Sequence, residues 1–186
     1  MKKLLFFLAG ILCLGGVIFW CGRIYSVNSA YSDDTERYGA GETVSISGLE
    51  MKAVETRIYS IDEYKERFNA DPVDMLDPQD RMICVRMQVT NTGDEAVGWD
   101  KVSSITVGGF ESVTWCSSAD PYSAQPINVF RSENLPAGAE QDVWCVTSLA
   151  RVSFGQKTWD NIKDEEFWYV PALEPVKIMM KLEPDD

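Results

Sequence analysis

Five oxygen-bearing side chains crowd one short stretch of this chain: Asn69, Asp71, Asp74, Asp77 and Asp80, interrupted by Pro72 and Pro78. A loop offering several carboxylates and main-chain carbonyls can wrap a calcium ion, which takes roughly six to eight oxygen ligands. The spacing lacks the glycine and closing glutamate of an EF-hand, so a solvated acidic loop is the alternative for Asp71, Asp74, Asp77 and Asp80. Thiols form a second set. Cys84, Cys116 and Cys145 lie beyond the apolar N-terminus, an odd number without C-x-x-C spacing, so at most one internal disulfide can form among them. Cys84, Trp99 and Cys145 imitate the Cys-Trp-Cys order of antibody-type domains. Parity opposes a Cys84–Cys145 bridge: Cys84 alternates with Ile83, Val85, Met87 and Val89, so if those four face inward it faces outward. Other pairings and unpaired thiols stand as alternatives. Aromatic residues form the third set. Trp115 and Trp144 fall inside strand patterns and read as core, whereas Trp99 and Trp159 lie nearer turns and are candidates for a glycan-stacking or peptide-binding surface. The competing reading is that they seal the core, as large aromatics commonly do.

What the chain lacks narrows the chemistry further. Histidine is absent, which removes the usual general base, the usual proton shuttle and the commonest zinc ligand together. Ser-His-Asp and Cys-His catalysis are excluded. Carboxylate pairs such as Asp160 and Glu165 can be picked from any chain holding 29 acidic residues, so they carry no weight as glycosidase pairs. No catalytic residue and no cofactor is expected. The formal charge is −12; with Lys2, Lys3 and Arg23 set aside, 14 basic and 29 acidic residues remain, a formal −15. Nucleic acid is therefore not a fitting partner, since phosphate binding needs Lys and Arg to replace counterions. Cations, basic peptides or a basic protein fit an acidic face, and the plainer role of the charge is keeping the domain dispersed.

The elements that must position these residues begin with an N-terminal anchor. Met1-Lys2-Lys3 precedes an apolar and small run from Leu4 to Cys21, then Gly22 and Arg23. Such a run spans about 27 Å as a helix, close to a hydrocarbon core and longer than the apolar segment of a typical cleaved signal. Residues 1–23 read as a signal anchor forming one transmembrane helix, with Lys2 and Lys3 holding the N-terminus in the cytoplasm and the rest outside. Cleavage near Ser29, after Val27-Asn28, is the rival and would make the protein secreted. Neither Cys13 nor Cys21 follows the small residue expected before a lipidated cysteine. Residues 24–40 are polar and aperiodic and read as a tether.

Residues 41–186 read as one all-β domain. Val44 and Ile46 alternate with polar neighbours, and Leu49, Met51 and Ala53 continue the pattern after a turn at Gly48. Asp62 to Phe68 reads as a short helix, and Arg81 to Thr92 as the clearest strand, closed by Asn91-Thr92-Gly93-Asp94. Further strands are expected at Val102–Val107, Phe110–Cys116, Ile127–Phe130, Glu140–Thr147, Phe167–Val170 and Val176–Leu182. A second short helix is expected near Thr158–Lys163. Short strands separated by turn signals predict a β-sandwich with one or two short helices.

Three stretches together carry a family resemblance: Gly41-Glu42-Thr43-Val44 with Gly48-Leu49-Glu50, Cys84 to Asp94, and Leu135-Pro136-Ala137-Gly138-Ala139-Glu140. They resemble membrane-anchored or lipid-anchored immunoglobulin-like (telokin-like) domains of unknown function from Gram-positive bacterial envelopes. In that group an Asn-x-Gly-Asp turn precedes a Leu-Pro-x-Gly turn that leads into a core strand. The resemblance implies an immunoglobulin-like β-sandwich outside the cell membrane and transfers no catalytic residue. The expectation is a single-pass, non-catalytic binding or scaffolding module whose partner is an envelope protein or wall component. The alternative is a sensor or regulatory subunit paired through its transmembrane helix, where Gly10, Gly15 and Gly16 permit close approach.

Overall fold

The computed structural model describes residues 2–30, 34–73, 77–106, 108–130 and 132–185, with helix side chains at 2–9, 11, 12 and 27–30 outside the description. The chain forms two units, Met1–Asp34 and Thr35–Asp186. The first is a single helix, α1 (Lys2–Ala30), which continues past Arg23 into the stretch expected to be a tether. Among the described residues, no helix is long and apolar enough to cross a membrane. Much of the expected span, and Ser29 with it, carries side chains outside that description.

The second unit is a β-sandwich. In chain order its elements are β1 (Thr35–Tyr38), β2 (Thr43–Ile46), β3 (Leu49–Ser60), α2 (Ile61–Phe68), β4 (Arg81–Asn91), β5 (Val97–Gly98), α3 (Trp99–Thr106), β6 (Gly109–Glu111), β7 (Cys116–Ser118), α4 (Pro121–Ala124), β8 (Asn134–Leu135), β9 (Glu140–Leu149), α5 (Gln156–Asp160), β10 (Phe167–Ala172) and β11 (Lys177–Leu182). One sheet has the order β1-β11-β10-β6-β7, the other β2-β3-β4-β9, and β5 and β8 make a small ribbon. β1 runs parallel to β11, so the sandwich begins at Thr35 within the expected tether. Thr35–Tyr38 has no apolar alternation; its pairing rests on main-chain hydrogen bonds to an edge.

Period-2 patterning places the core. Ile83, Val85, Met87 and Val89 are buried together with Val143 and Cys145 of the neighbouring strand and with Phe110, Phe167, Tyr169, Met180 and Leu182 of the other sheet. Parity holds for Cys84, which lies on the opposite face, but that face is also covered. Tyr64 of α2 closes over Tyr59, Met82, Cys84 and Val146, with Phe68, Ala124, Ile127 and Trp144 packed around them. The Phe68 ring meets Tyr64 at 4.9 Å, Trp144 at 5.0 Å and Tyr59 at 5.8 Å between centroids. The alternating rule told the two faces apart and could not say that the second one carries a helical layer.

α2 forms where expected because Ser60 and Glu63 cap it reciprocally: Ser60 Oγ accepts from the Glu63 amide, and Glu63 accepts from the Ser60 amide at 2.7 Å. The expectation of a strand at Val102–Val107 is corrected. Trp99–Thr106 is helical, and Val107 lies outside the described residues. Val102, Ile105 and Thr106 are its buried positions, a three-to-four-residue spacing that makes a helical face. Phe110–Cys116 is a hairpin of two short strands rather than one strand. Ile127–Phe130 is not a strand either: Pro126 sits in a 3-10 turn over Gln125–Ile127, and the chain then runs on irregularly.

The two turns that carried the family resemblance are joined through Asn91, which is fully buried. Its Nδ2 donates to Glu95 O at 2.8 Å and Leu135 O at 3.0 Å, while its Oδ1 accepts from the Gly93 amide at 3.0 Å. Its main chain bonds Gly138 and Ala139 at 2.8 and 2.9 Å. The Asn-x-Gly-Asp and Leu-Pro-x-Gly turns are two halves of one clasp holding β9 beside β4.

Candidate functional site

A cleft of about 480 Å³ opens along the free edge of β9, between α3 and α4. Its floor includes Val143 to Val146, and its walls include Ser103, Asp120 and Phe130. An exposed strand edge presents unpaired main-chain groups, and this chain satisfies several of them with a side chain and a loop amide instead of another strand. Asn128 Oδ1 accepts from the Trp144 amide at 2.7 Å, and Asn128 Nδ2 donates to Trp144 O at 2.9 Å. The same Nδ2 donates to Ala124 O at 3.0 Å, fixing the edge to α4. One turn earlier, the Asp120 amide donates to Val146 O at 2.7 Å.

Asp120 also starts α4. Its Oδ1 accepts from the Tyr122 and Ser123 amides at 2.9 and 3.2 Å, and Pro121 occupies the first helical position. Of the lining side chains Phe130 is 38% exposed; Tyr122 and Val129, the sequence neighbours of lining residues Pro121 and Phe130, are 73% and 78% exposed. Trp99 stacks on Phe130 at 4.0 Å and donates from its indole nitrogen to Ser132 O at 2.6 Å. Below the floor, burial pushes the Cys145 thiol up to about 12 against the opposing pull of the nearby Tyr169 hydroxyl. Burial likewise raises Tyr169, whose hydroxyl donates to Thr106 O at 2.6 Å and accepts from the Gly108 amide at 3.2 Å. These two groups stay protonated and act as packing and cross-sheet ties.

The candidate residues named from sequence scatter. Asp71 pairs with Lys65 at 2.8 Å and is largely exposed. Asp77 Oδ1 accepts from the Gln79 amide at 2.8 Å. Asp80 is buried and accepts from the Arg151 amide at 2.7 Å and the Asp77 amide at 3.2 Å. Asp74 lies outside the described residues. Among the described residues no group of three or more acidic or thiol side chains is arranged to hold a metal ion. The loop's acids shape its turns and tie it to the segment after β9.

Cys84 and Cys145 are unbridged despite the Cys-Trp-Cys order. They sit on adjacent strands of one sheet, with Cys84 opposite Val146 and Cys145 opposite Val85, and so face opposite sides. An antibody-type bridge joins the two sheets. Burial raises the Cys84 thiol well above its ordinary value, with the Glu55 charge adding to it. Trp159 is 5% exposed and held between the guanidinium groups of Arg81 and Arg151, 4.8 and 5.6 Å from its ring centre. It seals the core and is no surface anchor. Trp99 alone of that pair reaches the cleft's flank, through Phe130.

Sequence reading passed over Asp120, Asn128 and Phe130. Asp120-Pro121 is a readable helix start. The role of Asn128 has no sequence signal, because its partners are sixteen residues away on a strand edge.

Fold and cleft together define a β-sandwich module with a side-chain-buttressed groove at one sheet edge. Residues 35–178 match the domain of unknown function DUF5028, and the chain belongs to that family. Two solved structures are similar in fold. One is an uncharacterized beta-sandwich protein from Clostridium difficile 630, at 10% identity and TM-score 0.48, covering 81% of this chain and 97% of that one. The other is a conserved hypothetical protein from Bacillus anthracis, at 10% identity and TM-score 0.47, covering 76% and 94%. No curated protein matches the chain.

Proposed function

We propose that this protein is a non-catalytic binding or scaffolding module, anchored in the cell membrane by α1 and displayed outside the cell, with the β9-edge cleft as its binding site. The observation that carries the reading is the cleft itself: a largely apolar groove lined by Val143 to Val146, Ala124 and the exposed Phe130. A concave, mostly apolar site with a few polar groups is the usual form of a binding site. Support for the anchor comes from the exposed apolar side chains of Leu14, Val17, Ile18, Phe19 and Trp20 on α1, and from Lys2 and Lys3 before the run.

The sandwich is proposed to be immunoglobulin-like, with β3 and β4 as its first two strands, β6 the third, β9 the fifth, and β10 and β11 the last two. In the constant-type arrangement a fourth strand lies beside the fifth at the sheet edge. Here α4, the 3-10 turn and Asn128 occupy that side, and the cleft opens there. β2 is an addition at the far edge.

A second reading, a sensor or regulatory subunit paired through its membrane helix, draws support from Gly10, Gly15, Gly16 and Gly22 within α1. Crosslinking in intact cells followed by capture of the full-length protein separates the two when a version with an unrelated anchor is run beside it. A module acting through its cleft keeps its partner after the swap. Loss of the partner on swapping favours the helix-paired subunit, and no enriched protein in either arm contradicts the module reading.

A further inference from the structure

We propose that the β9-edge cleft accepts an extended polypeptide segment of basic character, with an apolar side chain seated in the groove and a lysine or arginine on the Asp120 carboxylate. This deepens the module reading and rests on it. Charge points to the class of occupant. Among the described lining residues Asp120 is the one charged group, and no base is among them. Only Oδ1 of Asp120 is engaged by the capping amides, and no described lysine or arginine pairs with it. Arg131, next in the chain to Phe130, lies outside the described residues.

Further along the same strand, outside the lining, stands Glu140, about 10 Å back from Val143 at the rise of an extended chain, with Oε1 accepting from Gln88 Nε2 at 2.9 Å. Glu133 is exposed on the segment that leads into β8. An amphipathic cation meets an apolar floor with one carboxylate in its wall, whereas an acidic or wholly polar ligand meets repulsion or an unmatched surface. A polypeptide fits better than a small amine because the cleft, about 480 Å³, lies along a strand edge and is lined from α3, α4 and β9 together. An extended chain sends alternate side chains to one face.

The test uses the full-length protein in nanodiscs of neutral lipid and three fluorescent decapeptides. One alternates lysine with phenylalanine and valine, one replaces lysine by glutamate, and one replaces the apolar residues by serine. The first is expected to bind at least about tenfold more tightly than either control. Asp120→Asn keeps the helix cap, since asparagine caps as well as aspartate, and is expected to weaken binding about two- to fivefold, the range for a partly exposed charge contact. Gln125→Lys adds a positive charge at an exposed lining position and is expected to weaken it similarly. Phe130→Ser removes the apolar wall and should weaken binding of the first peptide without changing the serine control. Equal binding of the three peptides, or wild-type binding by all three variants, overturns the proposal. If cells yield a crosslinked partner that survives the anchor swap yet no peptide binds, the inference fails and the module reading stands. If no partner is enriched, the module reading fails on its own test.

Discussion

Replacing Asn128 by alanine removes three hydrogen bonds at once and leaves the amide and carbonyl of Trp144 without their partners on the β9 edge. A typical intramolecular hydrogen bond contributes about 1 kcal/mol net, and stranding a buried partner costs more. Asn128 is half-buried, so water reaches part of the vacated space and lowers the total. The expected destabilisation is about 2 kcal/mol. A domain of this size unfolds in urea with a slope near ~2 kcal/mol per molar, so the midpoint should fall by about 1 M with the slope unchanged. Tryptophan fluorescence of the full-length protein in micelles reads the transition directly, because Trp144 sits at the altered edge. Asn128→Asp is a sharper version. It keeps an acceptor for the Trp144 amide but sets a carboxylate against the carbonyls of Trp144 and Ala124, and at neutral pH it should destabilise at least as much as alanine. Gln125→Ala, three residues earlier and exposed, serves as the control and should move the midpoint little. A shift below about 0.25 M for both Asn128 variants, at ~2 kcal/mol per molar, would refute the view that this side chain stands in for a missing strand.

Asn91→Ala should cost about 2–4 kcal/mol, since it opens the buried clasp between the two turns and orphans the carbonyls of Glu95 and Leu135; a change under about 1 kcal/mol in equilibrium unfolding would contradict that role. The Glu63 carboxyl is held below its ordinary 4.5, chiefly by the Ser60 amide and then the Ser60 hydroxyl. A lowered folded-state pKa means stability that is present above the ordinary value and lost as pH falls through the folded one, so wild type should lose more stability than Glu63→Gln in acid titrations below about pH 4.5. Identical titration curves would remove the capping box from the account. Iodoacetamide at pH 8 should label exposed Cys116 rapidly in the native protein, whereas Cys84 and Cys145 react only on unfolding; native labelling of Cys145 at a comparable rate, measured by peptide mass spectrometry, would contradict its burial.

Where the sequence obeyed a single periodicity, the fold was legible. The second half of β4, Val85 to Thr90, alternates cleanly, and α2 announces itself through Ser60 and Glu63. The misreadings share a cause, which is that local pattern is silent about tertiary cover. Val102 to Val107 is rich in β-branched residues and invites a strand, yet Val102 and Ile105 are three apart and pack as one helical face against the sandwich. Parity assigns Cys84 to the face opposite Ile83, Val85, Met87 and Val89, but only the folded chain brings α2 and α4 over that face. The partners of the loop acids and the thiols are likewise tertiary. Asp80 and Asp77 spend their oxygens on nearby amides, and Cys145 belongs to the neighbour of β4 within one sheet. The cleft was the least legible feature, because it depends on what does not pair with β9.

The central claim is that partners engage the β9 edge of a membrane-displayed domain. A photo-crosslinking amino acid placed at Gln125, which lines the cleft, and separately at Val152, which is 92% exposed and outside it, tests this in living cells with the full-length protein. The account predicts one discrete adduct from position 125 that persists when the anchor is exchanged, and none from position 152. No adduct at position 125, or the same adducts from both positions, would contradict it.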